Sequence, residues 1–346
     1  MSLLKSALIS KGAQPKGRPV QVTIDCSAFR HNIGVVESLA PNAEAIVVIK
    51  ADAYGHGMVD MARCAGDRAV AVASSDEAKR LIDAGINNPI WVLEGPFDAS
   101  CLELTTAHQI IWLIHSDWQL DLLESLSLSS PLSLWLKIDT GMHRLGFHPN
   151  KMASVVSRIE AQAFLNCVGV LTHFANSDVS ESEELPEASE VQPSVASQIE
   201  RFDRCITDLD LMTLPRSLAQ SLANSGAILN YPKTHRSVVR PGIMLYGASP
   251  TAATSADKYG LKAVMHLSSA VMSLRTVAAG ESVGYGSSWT AERESLIATV
   301  AVGYGDGYPR HAPNGTPVAV NQAIAPLVGR VSMDMITVDV SDILDV

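Results

Sequence analysis

In VVIKADAYGHG, residues 47–57, a run of β-branched apolar residues closes on an amine, Lys50, and a glycine-bearing turn with Tyr54 follows at once. A lysine at the end of a buried strand is partly desolvated, which disfavours the ammonium and frees the amine as a nucleophile or base. The usual partner of such an amine is a carbonyl substrate or an aldehyde cofactor. LANSGA (222–227) joins small residues to a helix start and offers backbone N–H groups and the Ser225 hydroxyl to an anion. RPGIMLYG (240–247) offers further N–H groups after its proline. An activatable amine with a phosphate-sized anion site points to pyridoxal phosphate, and a Schiff-base aldolase is the competing reading. Lys137, Asp139, His173, Asn224 and Arg240 also stand at the ends of apolar runs. Taken singly, each is more often a solvated or satisfied structural residue; their placement on one face is what makes a site.

The elements that must position these groups follow from the pattern. Apolar runs recur at 45–50, 69–74, 89–95, 109–116, 132–139, 168–175, 216–223 and 237–242, the seventh being the weakest strand. Between them, MVDMARCAG, SDEAKRLIDAG, DWQLDLLESL, NKMASVVSRIEAQ and QIERFDRCITDLDLM carry apolar residues at helical spacing, and Ser75 with Glu77 reads as a capped helix start. Continuous apolar strands alternating with amphipathic helices mean a parallel sheet covered on both faces. About eight such units indicate an α/β fold, a (β/α)8 TIM barrel over 20–246, with chemistry at the C-terminal strand ends. From 247 to 346 the helical pattern fades, and runs such as SLIATVAVG, PVAVN and MITVDV between glycine and proline turns read as a mostly β domain. VQVTIDC (20–26) reads as a strand that can belong to that second domain. The acidic stretch 177–194 reads as a solvated loop.

Bulk properties narrow the class. A net charge of −10 argues against nucleic-acid binding through bulk electrostatics, and no apolar run reaches membrane-spanning length. The first residues lack a signal-peptide core. Five scattered cysteines without a C-x-x-C pair are expected to be reduced thiols of a cytoplasmic protein, with no disulfide frame and no metal site.

VVIKADAYGHG closely resembles the cofactor-lysine motif of bacterial alanine racemases. The resemblance continues, in order, through LKIDTGMHRLGF (136–147), THFANSD (172–178), LANSGA, VRPGIMLYG (239–247), VGYGSSW (283–289), AVGYGDGYPR (301–310) and GRVSMDM (329–335), and covers nearly the whole chain. It implies a pyridoxal-phosphate-dependent isomerase, a homodimer with shared active sites, that interconverts L- and D-alanine for peptidoglycan. Lys50 matches the lysine joined to the cofactor aldehyde, which is also one of two bases. Tyr285 matches the second base, supplied across the dimer. Arg240 matches the arginine at the pyridine nitrogen; Tyr54, Ser225, Gly242 and Ile243 match phosphate-holding groups; His173 matches the histidine beside the cofactor. Arg144 matches the arginine near the substrate carboxylate. Met333, with Asp334 beside it, matches a substrate contact from the partner subunit. Tyr304 and Arg310 match residues of the access corridor, and Lys137 a lysine often carbamylated in the family.

Two bases on opposite faces racemise without having to move, but a lysine and a tyrosine, each with an unperturbed pKa of about 10, must be tuned toward neutrality. A guanidinium at the pyridine nitrogen keeps its own proton, so the ring stays a weaker electron sink and transamination is limited. Relatives run on past the position of Val346, so the chain reads as shortened, without a further phosphate-binding tyrosine. Competing readings are a racemase for serine or basic amino acids, a decarboxylase on the same two-domain plan, and a non-catalytic pyridoxal-phosphate carrier or inactive paralogue. VGYGSSW and the absence of a cysteine-centred site in the second domain argue against the decarboxylase, and the second domain with Tyr285 argues against the carrier, while an inactive paralogue stays open.

Overall fold

The computed structural model describes residues 17–128, 130–179, 194–210, 218–251 and 254–343. The chain divides into two compact units, 24–265 and 266–343 together with the described residues up to 23. In the larger unit the eight apolar runs become eight parallel strands. The first comes in two pieces, Glu44–Ala45 and Val47–Val48, followed by Val70–Val72, Ile90–Val92, Ile110–Ile114, Leu132–Lys137, Leu165–Leu171, Ala219–Ser221 and Val238–Val239. The first run closes the barrel by alternation. The N–H groups of Glu44, Ile46 and Val48 bond to the carbonyls of Ser237, Val239 and Pro241, while those of Val47 and Ile49 bond to Ala69 and Ala71. One short strand thus joins the eighth to the second, and the sheet has no free edge. The expected helices follow their strands, at Met58–Cys64, Ser75–Asp83, Asp117–Glu124, Met152–Glu160, Val195–Asp210 and Ser225–Asn230. Most of the acidic stretch lies outside the described residues.

Two apolar layers hold this unit together. Side chains facing outward from the strands pack under the helices around Phe29, Ile33, Val47, Val72, Leu81, Trp112 and Phe202. The inward-facing set is smaller: Ile46, Val48, Ala69, Ala71, Trp91, Leu113, Trp135, Leu171 and Val238. Trp91 and Trp135, with ring centroids 4.5 Å apart, fill the barrel interior. Gly169 on the neighbouring strand makes the room, because a Cβ there would sit 2.5 Å from the Trp135 ring. Fully burying a large apolar side chain stabilises by about 1.5–3 kcal/mol, so these two rings are a principal anchor of the interior.

The smaller unit is β-rich. Val271–Val277, Ser295–Val300 and Ile336–Asp339 form an antiparallel sheet, and Pro317–Val320 pairs with Ala323–Pro326 around Asn321 and Gln322, whose φ values are 45° and 72°. Gln21–Ile24 pairs with Met265–Ser268. Ala298, Val300, Leu327, Ile336 and Val338 are central to its core.

Two expectations need correction. The strand run 45–50 ends at Val48, and Lys50 begins the next turn rather than closing the strand. The cysteines are not all free: Cys26 and Cys64 are joined, with Cα atoms 5.7 Å apart, while Cys101, Cys167 and Cys205 remain thiols. Cys26 opens the helix Cys26–Leu39 and Cys64 closes Met58–Cys64. The two meet by packing of elements 38 residues apart, which no local spacing reveals.

Candidate active site

The strand ends of the larger unit surround a cavity of about 620 Å³. Lys50 enters it from a turn, Lys50–Gly55, in which Ala51, Asp52, Ala53 and Tyr54 have φ of 53°, 52°, 56° and 55°. Left-handed backbone costs a non-glycine residue roughly 1–2 kcal/mol, so the turn persists only because its surroundings hold it. Ala53 is fully buried and its N–H bonds to the Ile49 carbonyl. Ala51 N–H donates to Glu77 Oε1 at 2.7 Å, and Asp52 Oδ1 accepts from the Met58 N–H at 3.1 Å. Glu77 lies in a helix capped by Ser74, one residue before the expected start.

Arg240, at the end of the eighth strand, is buried and lines the cavity. Nη1 donates to the Ser221 hydroxyl, and Nη2 to the Thr172 carbonyl at 2.7 Å, more loosely to Leu222 at 3.4 Å. Nε has no hydrogen-bond partner among the described residues. Burial pushes the guanidinium down to about 10, still far above neutrality, so it remains a cation. His173 stands beside it, with Nδ1 3.5 Å from Arg240 Nη2 and Nε2 3.5 Å from Asn224 Nδ2. Burial first, then the cations Arg240, Lys137, Arg144 and Lys50, hold His173 well below the usual histidine range, so it is neutral.

Ser225, Gly242 and Tyr54 form a cradle. Ser225 begins the short helix capped by Asn224, whose side chain accepts from the Ala227 N–H at 3.1 Å. The Ser225 hydroxyl accepts the Gly242 N–H at 2.9 Å and the Met244 N–H at 3.4 Å. Glycine at 242 lets the Tyr54 hydroxyl come close, because a Cβ there would lie 2.4 Å from its oxygen and push it aside. The Tyr54 ring packs against that of Tyr246, centroids 4.7 Å apart and planes tilted by 34°, and the Tyr246 hydroxyl donates to the Val48 carbonyl at 2.9 Å. Burial raises the pKa of Tyr54, and burial followed by Tyr54 raises that of Tyr246, so both act as hydrogen-bonding phenols.

Lys137 and Arg144 complete the wall. Lys137 is buried, with no ion-pair partner among the described residues. Burial first, then Arg240, Arg144 and Lys50, push it down to about 8. Arg144 rides on a loop held by Asp139, whose Oδ1 accepts the N–H groups of Gly141 at 3.0 Å and His143 at 3.1 Å. His143 is paired with Asp139 at 3.4 Å. The charged residues lining the cavity are Lys50, Lys137, Arg144 and Arg240 against Glu94 and Asp178, four cations to two anions, which suits an anionic ligand.

Tyr285, Tyr304, Arg310 and Met333 belong to the smaller unit and are not among the cavity-lining residues. Tyr285 is 69% exposed, in a turn where Gly284 and Gly286 have φ of 76° and 72°. Tyr304 carries the Arg310 guanidinium 5.7 Å from its ring centre. The loop of Tyr304 lies on that of Met333: Tyr304 and Gly305 N–H groups donate to the Ser332 and Met333 carbonyls at 3.0 and 2.8 Å. The Met333 side chain is exposed.

Sequence reasoning missed the supports behind these residues. Ser221 and Thr172 hold Arg240. Buried Gln198 bonds from the helix Val195–Asp210 to Thr140 Oγ1 at 3.0 Å, the His173 carbonyl at 3.2 Å and the Ala175 N–H at 2.9 Å. Only Glu77 left a signal, its place three residues after Ser74.

The arrangement fits pyridoxal phosphate: an amine for the aldehyde, a cationic donor with an uncommitted Nε–H, and a cradle shaped by Gly242. The alanine racemase N-terminal domain profile matches residues 24–250 and the C-terminal domain profile 264–346. The alanine racemase of Nitrosococcus oceani is 43% identical over 92% of this chain and 85% of its own length. That of Aeromonas hydrophila is 42% identical over 91% and 84%. Among solved structures, the biosynthetic alanine racemase of Pseudomonas aeruginosa superposes with a TM-score of 0.85 at 41% identity, covering 95% of this chain and 88% of that one. The alanine racemase of Acinetobacter baumannii gives 0.83 at 34%, with the same coverage. The chain therefore belongs to the alanine racemase family, isomerases that depend on pyridoxal phosphate.

Proposed function

We propose that the protein interconverts L- and D-alanine with two bases on opposite faces of the substrate, Lys50 on one and Tyr285 of a second subunit on the other. Bound pyridoxal phosphate supplies the electron sink that makes the α-proton removable. The observation that carries the reading is the convergence on one cavity of Lys50, Arg240 and the Ser225–Gly242–Tyr54 cradle.

The chain's own residues have separate tasks. Ser225, Tyr54 and the N–H groups of Ile243 and Gly242 would hold the phosphate, the Gly242 N–H turning to it from the Ser225 hydroxyl. Arg240 would face the ring nitrogen as a donor that keeps its own proton, which would restrain the sink and side reactions. His173, neutral and on the cavity wall, would flank the cofactor without adding positive charge there. Arg144 binds the substrate carboxylate by a charge-assisted bond. Lys50 removes or returns the α-proton on its face. With its pKa pushed down to about 8, Lys137 has a fraction of free amine that can add to carbon dioxide, losing a proton and becoming an anionic carbamate beside Arg144. Tyr285 and Met333 reach the substrate from the partner of a homodimer, and Tyr304 with Arg310 line the approach. The exposure of Tyr285 and Met333 supports this reading, as does that of Val271, Met272 and Leu274 on one strand. The product D-alanine supplies peptidoglycan synthesis in the cytoplasm. Among the described residues, no helix is long and apolar enough to cross a membrane.

The test is direct. The protein loaded with pyridoxal phosphate should take the optical rotation of L-alanine to zero, and Lys50→Ala should slow this by about 10³-fold or more. Cofactor binding without racemisation contradicts the proposal. Faster turnover of serine or lysine than of alanine would transfer it to a racemase of broader range.

A further inference from the structure

The turn that carries Lys50 is not self-supporting. Its four left-handed residues include no glycine. Within it, the Ala53 N–H bonds to the Ile49 carbonyl and the Gly57 N–H to that of Asp52, which leaves the Ala51 amide to find a partner elsewhere. That amide belongs to the peptide immediately after Lys50, and Glu77 Oε1 accepts it at 2.7 Å. Glu77 Oε2 accepts the Ala73 N–H, also at 2.7 Å, where the chain leaves the second barrel strand.

Glu77 is the third residue of the helix Ser75–Asp83, after its cap Ser74. In a capping box a carboxylate at this place turns back to the N–H of its own cap residue. Here it reaches past the cap and bridges two barrel-rim peptides, each through a charge-assisted bond. The same helix sends Arg80 to Asp52 at 3.3 Å, and Asp52 in turn caps the Met58 amide. Glu77 is not among the cavity-lining residues, so it acts through the turn.

We propose that Glu77 is a positioning residue for Lys50: its carboxylate ties the peptide after Lys50 to the rim of the second strand and so fixes the direction in which the amine enters the cavity. The proposal rests on Lys50 being one of the two bases. Glu77→Gln preserves size but offers one acceptor oxygen and turns an NH₂ group toward the other amide, so one tie is lost.

The experiment compares wild-type and Glu77→Gln holoenzymes. Borohydride reduction and peptide mapping of the wild type first locate the cofactor. A cofactor fixed anywhere but on Lys50 overturns the site reading and this proposal together. With Lys50 labelled, Glu77→Gln should lower kcat about tenfold or more while KM changes little, the signature of a misplaced reacting group. Enantiomers are equal in energy, so both directions must lose kcat/KM equally and rates alone cannot identify the affected base. The isotope effect can: α-deuterated alanine should show an increased effect for one enantiomer only. Unchanged isotope effects for both enantiomers overturn the proposal alone and reduce Glu77 to a helix cap. If the variant fails to fold, amide exchange in the wild type decides. A protected Ala51 amide supports the tie, and one that exchanges like an exposed amide overturns it.

Discussion

Arg240 and His173 illustrate how charge is arranged at the scale of single residues. A buried cation is tolerated because Ser221 and Thr172 take up its donors, and its charge helps keep the neighbouring histidine neutral. The histidine's depressed pKa has a consequence for stability. A group whose folded pKa lies below its unfolded value contributes no penalty above that unfolded value, about 6.5 for histidine. As pH falls below it, the unfolded chain takes up a proton that the folded chain refuses, and stability declines by at most about 1.4 kcal/mol per pH unit from this group. The free energy of apoprotein unfolding at fixed protein concentration should therefore fall between about pH 6.5 and 5 in the wild type. The slope should be shallower by that amount in His173→Gln. Equal slopes would mean that His173 is charged in the folded protein.

At the scale of elements, the barrel strands were legible because a parallel strand buried on both faces must be apolar throughout, as 109–116 and 132–139 are. Even the weak run 216–223 yields a strand, Ala219–Ser221. The place of Lys50 was less legible. Nothing local announces four left-handed residues in ADAY, whose contacts run to Glu77 and Arg80 on the helix Ser75–Asp83 and whose Ala53 is buried. Gln198 and the Cys26–Cys64 pair were invisible for the same reason: Thr140, bonded to Gln198, is 58 residues from it, and the two cysteines are 38 apart. The residues that line the cavity, Lys50, Tyr54, Lys137, Arg144, His173, Ser225 and Arg240 among them, lie in continuous motifs, whereas the residues that hold them are dispersed. The interior packing gives a test at this scale. Gly169→Ala places a methyl 2.5 Å from the Trp135 ring, and overpacking of this kind costs about 1–3 kcal/mol. Thermal melts should show a clear loss of Tm, and Trp135→Phe should restore part of it. An unchanged Tm in Gly169→Ala would mean that the interior is loosely filled.

At the scale of the whole molecule, the proposed chemistry is divided between the two units. Lys50, Arg240 and the phosphate cradle lie in the barrel, while Tyr285 and Met333 lie in the β unit. The cavity's excess of cations is a local feature set within a chain of net charge −10, so anion binding depends on the strand ends and not on the surface at large. The proposed sharing of sites between subunits can be read from two crippled variants. Lys50→Ala and Tyr285→Phe homodimers each lack one base in both sites. Unfolded together, refolded with pyridoxal phosphate and allowed to assort, they should form mixed dimers in which one site has both bases, and the mixture should recover about a quarter of wild-type racemase activity. Recovery at that level, from parents that are each nearly inactive, is what the account predicts. Substantial activity in Tyr285→Phe alone, or a mixture no more active than its parents, would contradict it.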